Sequence, residues 1–133
     1  MKIIFILFLL SISFPQEIFT DYLVEGQDTI DVFSYQIPVF YDDSVSHPLL
    51  LTFHQWGGNE NSNYSTQFDE EANERNWIML SPYGGAPNNY NHQGMQDMVE
   101  GGILWMMENF NIDKNRIYMV GGSGGFLGAD GIN

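Results

Sequence analysis

Apolar and polar positions follow two different periods along this chain, and the switches between them mark out its elements. Phe19 to Val24 and Val32 to Tyr41 are rich in β-forming residues. The turn cluster Glu25-Gly26-Gln27-Asp28 separates them, which predicts an antiparallel hairpin. Pro38 places the second of these strands near an edge or a bulge. Asp42 to Pro48 is a polar loop. Leu49-Leu50-Leu51-Thr52-Phe53 is a continuous apolar run, the pattern of a strand covered on both faces, and it ends at His54-Gln55-Trp56-Gly57-Gly58. Tyr64, Phe68 and Ala72 then recur at helical spacing, with Asp69-Glu70-Glu71 on the other side. Trp77 to Leu80 reads as a short buried strand closed by Ser81-Pro82, and Tyr83 to Gln93 as a long Gly/Pro/Asn loop. Met95, Val99, Ile103, Met106 and Phe110 predict the clearest helix, with Gly102 on the same face letting it approach a sheet. Asn111 to Asn115 is a turn into Arg116-Ile117-Tyr118-Met119-Val120, a short buried strand that runs into Gly121-Gly122-Ser123-Gly124-Gly125.

The order is hairpin, strand, helix, strand, helix, strand. Strands alternating with helices require crossover connections, so the later strands are expected to be parallel and the fold α/β, with a mixed, mostly parallel sheet. A chain of 133 residues leaves room for one domain.

The first residues stand apart from this pattern. Met1-Lys2 is a minimal positive start, Ile3 to Leu10 an unbroken apolar run, and Ser11 and Ser13 are small. That order is the order of a secretory signal peptide, too short to span a bilayer as a helix, so residues 1–16 are read as a signal and 17–133 as the mature domain. Cleavage is expected between Ser13 and Glu17, and the product is expected to be secreted or periplasmic. The chain has no Cys, so neither a lipoprotein anchor nor a disulfide is possible, and the core alone must hold the exported domain. Net charge is −13, with Lys2, Arg75, Lys114 and Arg116 as the cations. Neutralising phosphates takes clustered Lys and Arg, so nucleic acid is excluded as a partner, and an anionic membrane surface would repel the mature chain.

Ser123 is the candidate with the most chemistry in it. A serine hydroxyl is a poor nucleophile unless it is held exposed beside a general base. A G-x-S-x-G on a strand-to-helix turn provides that exposure, and here Ile117, Met119 and Val120 supply the strand that such an elbow needs. Gly121 and Gly125 allow the tight turn and let the next helix pack close. The bland alternative is a flexible glycine turn around an idle serine. In enzymes built this way an amide from the loop after the third strand binds the oxyanion together with the amide after the nucleophile. Here these are Trp56, with Gln55 second, and Gly124. Placement of His54 in that loop suits a structural residue better than a base. His92 is the other candidate base and reads better as a loop histidine. His47, His54 and His92 lack zinc-site spacing, the acidic clusters lack the EF-hand pattern, and the Gly-Gly pairs at 84 and 101 are not followed by the Lys of a phosphate loop, so no cofactor or metal is expected. The same Gly-rich serine also matches a trypsin-like G-D-S-G-G with Gly122 for Asp, but that fold is all-β, against the strand–helix order here.

Leu49 to Gly58, Arg75 to Pro82 and the D-x-x-R-I-Y of Asp113 to Tyr118 leading into the elbow together resemble the polyhydroxybutyrate-depolymerase and feruloyl-esterase group of α/β-hydrolases. They are also similar to the catalytic domain of prolyl oligopeptidases. The resemblance covers roughly residues 45–128. It implies a three-layer hydrolase sheet, structural roles for Asp113 and Arg116, a place for Asp97 on the helix before the elbow strand, and a catalytic acid and histidine located beyond Asn133. One departure is that the family usually has His-Gly where this chain has His54-Gln55, which puts a Gln side chain where it can crowd the oxyanion loop. The expected activity is hydrolysis of a small-molecule or polymeric ester through an acyl-enzyme on Ser123, with this stretch alone nearly inactive for want of its base. Two other readings stay open: a secreted peptidase of the prolyl-oligopeptidase type, and a non-catalytic exported domain that binds carbohydrate or a surface through Trp56, Tyr83 and Tyr90.

Overall fold

A computed structural model describes residues 16–85 and 93–122. The predicted signal segment, apart from Gln16, lies outside these residues. Five strands and two helices run in chain order: β1 (Ile18–Glu25), β2 (Asp28–Gln36), β3 (His47–Phe53), α1 (Gln67–Glu74), β4 (Ile78–Pro82), α2 (Gln93–Asn109) and β5 (Ile112–Gly121). They form one sheet in the order β1-β2-β4-β3-β5. β1 pairs antiparallel with β2, and β2 antiparallel with β4. β3 is parallel to both of its neighbours, β4 and β5.

Side chains alternate across the strands and so divide between two faces. Phe33, Leu49, Leu51, Ile78 and Leu80 turn to one face and pack against Met95, Val99 and Met106 of α2. Met79, between Ile78 and Leu80, turns to the other and packs with Ala72 of α1 and with Tyr64. The sheet thus lies between two helical layers, the three-layer arrangement expected of an α/β-hydrolase. On α2 the tight approach is at Gly101, where a Cβ would come within 3.0 Å of Leu23 Cδ1. At Gly102 it would meet Leu80 at an ordinary 3.7 Å.

Several boundaries differ from the sequence expectation. β2 runs from Asp28 to Gln36, not from Val32 to Tyr41. Pro38 lies beyond its end, in a turn closed by Tyr41 N–H on the Pro38 carbonyl. β5 starts at Ile112, beside His47, so Asn111–Asn115 is largely strand and not only a turn. Nor is Arg116–Val120 buried. Among the described residues β5 pairs only with β3, and Tyr118 and Met119 are 44% and 38% exposed. Tyr118 is instead covered on one side by Trp77, whose ring stacks on it with centroids 4.8 Å apart.

Asp69 also departs from expectation, being buried where the helical pattern put it on the solvent side. It folds back over the start of α1, accepting from Thr66 N–H at 2.8 Å and Ser65 N–H at 2.9 Å, while Thr66 Oγ1 accepts from Phe68 N–H at 3.1 Å. This reciprocal cap satisfies amides that the first helical turn leaves without partners. Thr66→Ala is therefore expected to destabilise the protein by about 1 kcal/mol. A thermal melt should register this as a drop of about 4 °C.

Candidate active site

Parallel strands bring their carboxyl ends to one edge of the sheet, and that edge is where open α/β sheets place their ligands. Phe53, the last residue of β3, is the register partner of Gly121, the last residue of β5. The loop His54–Gly58 therefore departs beside Gly121-Gly122. Neighbouring strands lie about 4.8 Å apart, so the two loop starts share one small region. Ser123, Gly124 and Gly125 fall outside the described residues, as do Tyr90 and His92.

The loop after β3 is built around a buried ring. His54 is fully buried, and with the proton on Nε2 it donates to the Tyr83 carbonyl at 3.0 Å. Its Nδ1 lies 2.9 Å from the Gln55 carbonyl. Both nitrogens face backbone carbonyls, which gives His54 the structural role expected for it. Gly58 N–H closes the turn on the Gln55 carbonyl at 2.9 Å. Gln55 and Trp56 point outward, and Trp56 is 65% exposed. A Cβ at Gly58 would sit 2.8 Å from Ser62 Oγ and 3.0 Å from both the Gln55 carbonyl and His54 Cβ, so only glycine fits there.

The loop after β4 meets the same region. Tyr83 N–H donates to the Val32 carbonyl at 2.9 Å, and the next two amides, of Gly84 and Gly85, each donate at 3.0 Å to separate oxygens of Asp31. Both glycines have positive φ, +73° and +71°, a conformation that turns successive N–H groups toward one anion. Asp31 is 5% exposed. Burial pushes its carboxyl above the ordinary value, while the amides of Gly85, Gly84 and Val32 act in the opposite sense. A shallow groove of about 280 Å³ opens beside it, with Tyr22, Ile30 and Tyr83 in its walls.

Asp31 is the residue that sequence reading missed. Its signal was a carboxylate in phase with Phe33 and Tyr35, at an inward position of a half-buried strand, where an unpaired charge is costly.

The other predicted residues lie elsewhere. His47 is buried at the amino end of β3, with Nδ1 3.0 Å from the Asn76 carbonyl and Nε2 2.9 Å from the Asp42 carbonyl. Asp113 and Arg116 sit near the start of β5, at the end of that strand far from Gly121. Arg116 Nε donates to Asp113 at 2.6 Å and its Nη2 to the Ser46 carbonyl at 3.1 Å, and the first of these bonds holds the Asp113 carboxyl below its ordinary value. The pair ties β5 to the approach of β3, which is the structural role the resemblance implied. Asp97 is exposed on α2. Among the described residues no group of His, Asp and Glu is arranged to hold a metal ion, and no helix is long and apolar enough to cross a membrane.

No family model matches this sequence, and no curated protein matches it. Solved structures do match. Fluorophosphonate-binding serine hydrolase F of Staphylococcus aureus superposes with a TM-score of 0.66 at 15% identity, over 84% of this chain and 49% of its own. A CE1 ferulic acid esterase from Anaeromyces mucronatus superposes with a TM-score of 0.55 at 16% identity, over 84% of this chain and 49% of its own. A dipeptidyl aminopeptidase IV, described as putative, from Bacteroides ovatus gives 0.62 at 16%, over 83% of this chain and 18% of its own. The chain has the α/β-hydrolase type of fold, and it spans about half the length of the first two of these proteins.

Two outcomes are expected at this site. Gly58→Ala forces the loop open against backbone and is expected to cost about 1–3 kcal/mol, measured by chemical denaturation. The second concerns Asp31, whose folded carboxyl titrates above the 3.8 of an ordinary aspartate. Its contribution to stability is present below that value and is lost as pH rises through the folded pKa. Asp31→Asn has no such charge to bury, so the wild type should lose stability relative to this variant as pH rises above the ordinary aspartate value of 3.8. Urea unfolding at a series of pH values reads that difference directly, and a difference independent of pH would refute it.

Proposed function

We propose that this chain is part of a secreted serine hydrolase that cleaves carboxylic esters, with Ser123 as nucleophile and Gly121 and Gly125 as the glycines of its elbow. The observation that carries the reading is the Phe53–Gly121 register, because it sets the start of the 54–58 loop beside the two residues that lead into Ser123. A nucleophile and an oxyanion donor must share one small region, and these two loops are the ones that hydrolases of this fold use.

In this mechanism Ser123 Oγ attacks the ester carbonyl carbon while its proton passes to a histidine. The amides of Gly124 and Trp56, with Gln55 as the second choice to Trp56, hold the negative oxygen of the tetrahedral intermediate. Collapse of that intermediate expels the alcohol, which takes the proton back from the histidine. Water then attacks the acyl-enzyme by the same route and releases the acid. Each oxyanion donor contributes roughly 3–4 kcal/mol to lowering the barrier. His47 and His54 are committed to backbone carbonyls, and the resemblance to hydrolases of this fold, whose acid and histidine follow the nucleophile in chain order, supports a base and an orienting acid placed after Ser123. No cofactor takes part in these steps. The signal-like residues 1–16 support export of the protein, and the net charge of −13 disfavours attraction to an anionic membrane surface.

The fold resemblance to esterases such as the ferulic acid enzyme supports an ester, small or polymeric, as the substrate. The match to a dipeptidyl aminopeptidase supports the peptidase as a second reading, because the described elements do not separate the two chemistries. A binding module is the third reading, supported by the exposed Trp56 and by the groove beside Tyr22 and Tyr83.

The test uses the complete gene product that contains this sequence, exposed to a fluorophosphonate. Labelling is expected, and Ser123→Ala should abolish it while leaving the melting temperature within a few degrees. A folded protein that is not labelled would sink both hydrolase readings and leave the binding module. Turnover of aryl esters with no cleavage of peptide anilides would then separate esterase from peptidase.

A further inference from the structure

The hydrogen bonds around the two loops form a continuous line beneath the proposed site. Asp31, on β2, holds the amides of Gly84 and Gly85, each at 3.0 Å. The preceding residue, Tyr83, is fixed at its own amide by the Val32 carbonyl and offers its carbonyl to His54 Nε2 at 3.0 Å. The His54 ring stacks near-parallel to the Tyr83 ring, with centroids 6.0 Å apart, and opens the turn that Gly58 N–H closes on Gln55. Asp31, Gly84 and His54 are buried, and Gly85 is the exposed end of the line.

We propose that Asp31 is a positioning residue for the oxyanion loop. Through Gly84 and Gly85 it fixes the Tyr83 carbonyl, and that carbonyl fixes the His54 ring from which residues 55–58 depart. The inference rests on the reading of this loop as the oxyanion loop. It adds a residue two strands away from β3, on β2.

The geometry favours Asp31 over an ordinary structural carboxylate for two reasons. Its two oxygens are divided between two successive amides, so it fixes the direction of the backbone as well as its distance. Both amides belong to glycines at positive φ, a conformation that a clamp can hold but that a free Gly-Gly segment would leave readily. Loosening the clamp frees the Tyr83 carbonyl to turn, and the His54 ring then loses its outer anchor.

Amide hydrogen exchange and kinetics on the complete protein test the proposal. In the unmutated protein the amides of Gly84, Gly85 and Gly58 should exchange with one common opening equilibrium and one common denaturant dependence. In Asp31→Asn, which keeps one acceptor oxygen, exchange at all three should quicken about tenfold. Aryl-ester kcat should fall about tenfold, with KM within twofold. Asp31→Ala should lower kcat further, so that the Asn variant partly rescues it. Quickened exchange at Gly84 and Gly85 with Gly58 unchanged would overturn the proposal, as would an unchanged kcat. If Asp31→Asn does not fold, the exchange comparison in the unmutated protein still decides: independent openings of Gly58 and of Gly84-Gly85 overturn it. Failure of the function reading is distinguishable, since it appears as absent labelling of the unmutated protein and leaves the exchange result standing.

Discussion

β3 is hydrogen-bonded along both edges and covered on both faces, and that constraint orders everything around it. Leu49 and Leu51 face α2, Thr52 turns to the opposite face, and Leu50 packs into the cluster of Tyr64 and Ala72. Buried polar groups are costly without partners, and His47 and His54 at the two ends of β3 both have ring nitrogens set against backbone carbonyls. With β4 and β5 parallel on either side, the carboxyl ends of three strands open together. The loops that leave those ends are the ones free to carry chemistry, while the opposite end is given over to fastening. Arg116, which reaches both Asp113 and the Ser46 carbonyl, is part of that fastening.

The elements with one strong period were legible. The apolar run 49–53 and the spacing of Met95, Val99 and Met106 need only burial to explain them, and burial is what they show. Less legible was β2, because its inward faces carry Asp31, Ser34 and Gln36, all buried, where a pattern of apolar residues would have marked the strand. The start of β5 was hidden for a related reason. Asp113 and Asn115 look like turn formers, and Asp113 does accept from Asn115 N–H at 2.9 Å, but the pairing of Ile112 with His47 extends the strand over them. Local preference and long-range pairing disagreed there, and pairing won.

The site was legible as composition and not as wiring. Gly57-Gly58 after an apolar strand announces a loop that must come close to something, and Gly58 is crowded on three sides. The fold that this composition suggested is the fold found, at identities near 15% and with TM-scores between 0.55 and 0.69. Nothing local to Asp31, by contrast, announces that Gly84 and Gly85, more than fifty residues on, will turn their amides toward it. A contact of that separation is a property of the sheet order, in which β2 and β4 are neighbours only because β3 is placed on the far side of β4.

The price of that contact is a carboxylate kept where its charged form is disfavoured. Burial pushes Asp31 up, and the amides act in the opposite sense, so its charged form is held there at a cost. Proteins keep residues that cost stability where the geometry they impose is used, and strained or charged supports gather beside sites for that reason. The neighbouring glycines point the same way. Two consecutive residues at positive φ give up conformational freedom on folding, a cost that a serine or asparagine turn of ordinary geometry would avoid. Carboxylate and glycines are each unfavourable alone, and together they hold one carbonyl, that of Tyr83, against the ring at the head of the loop after β3.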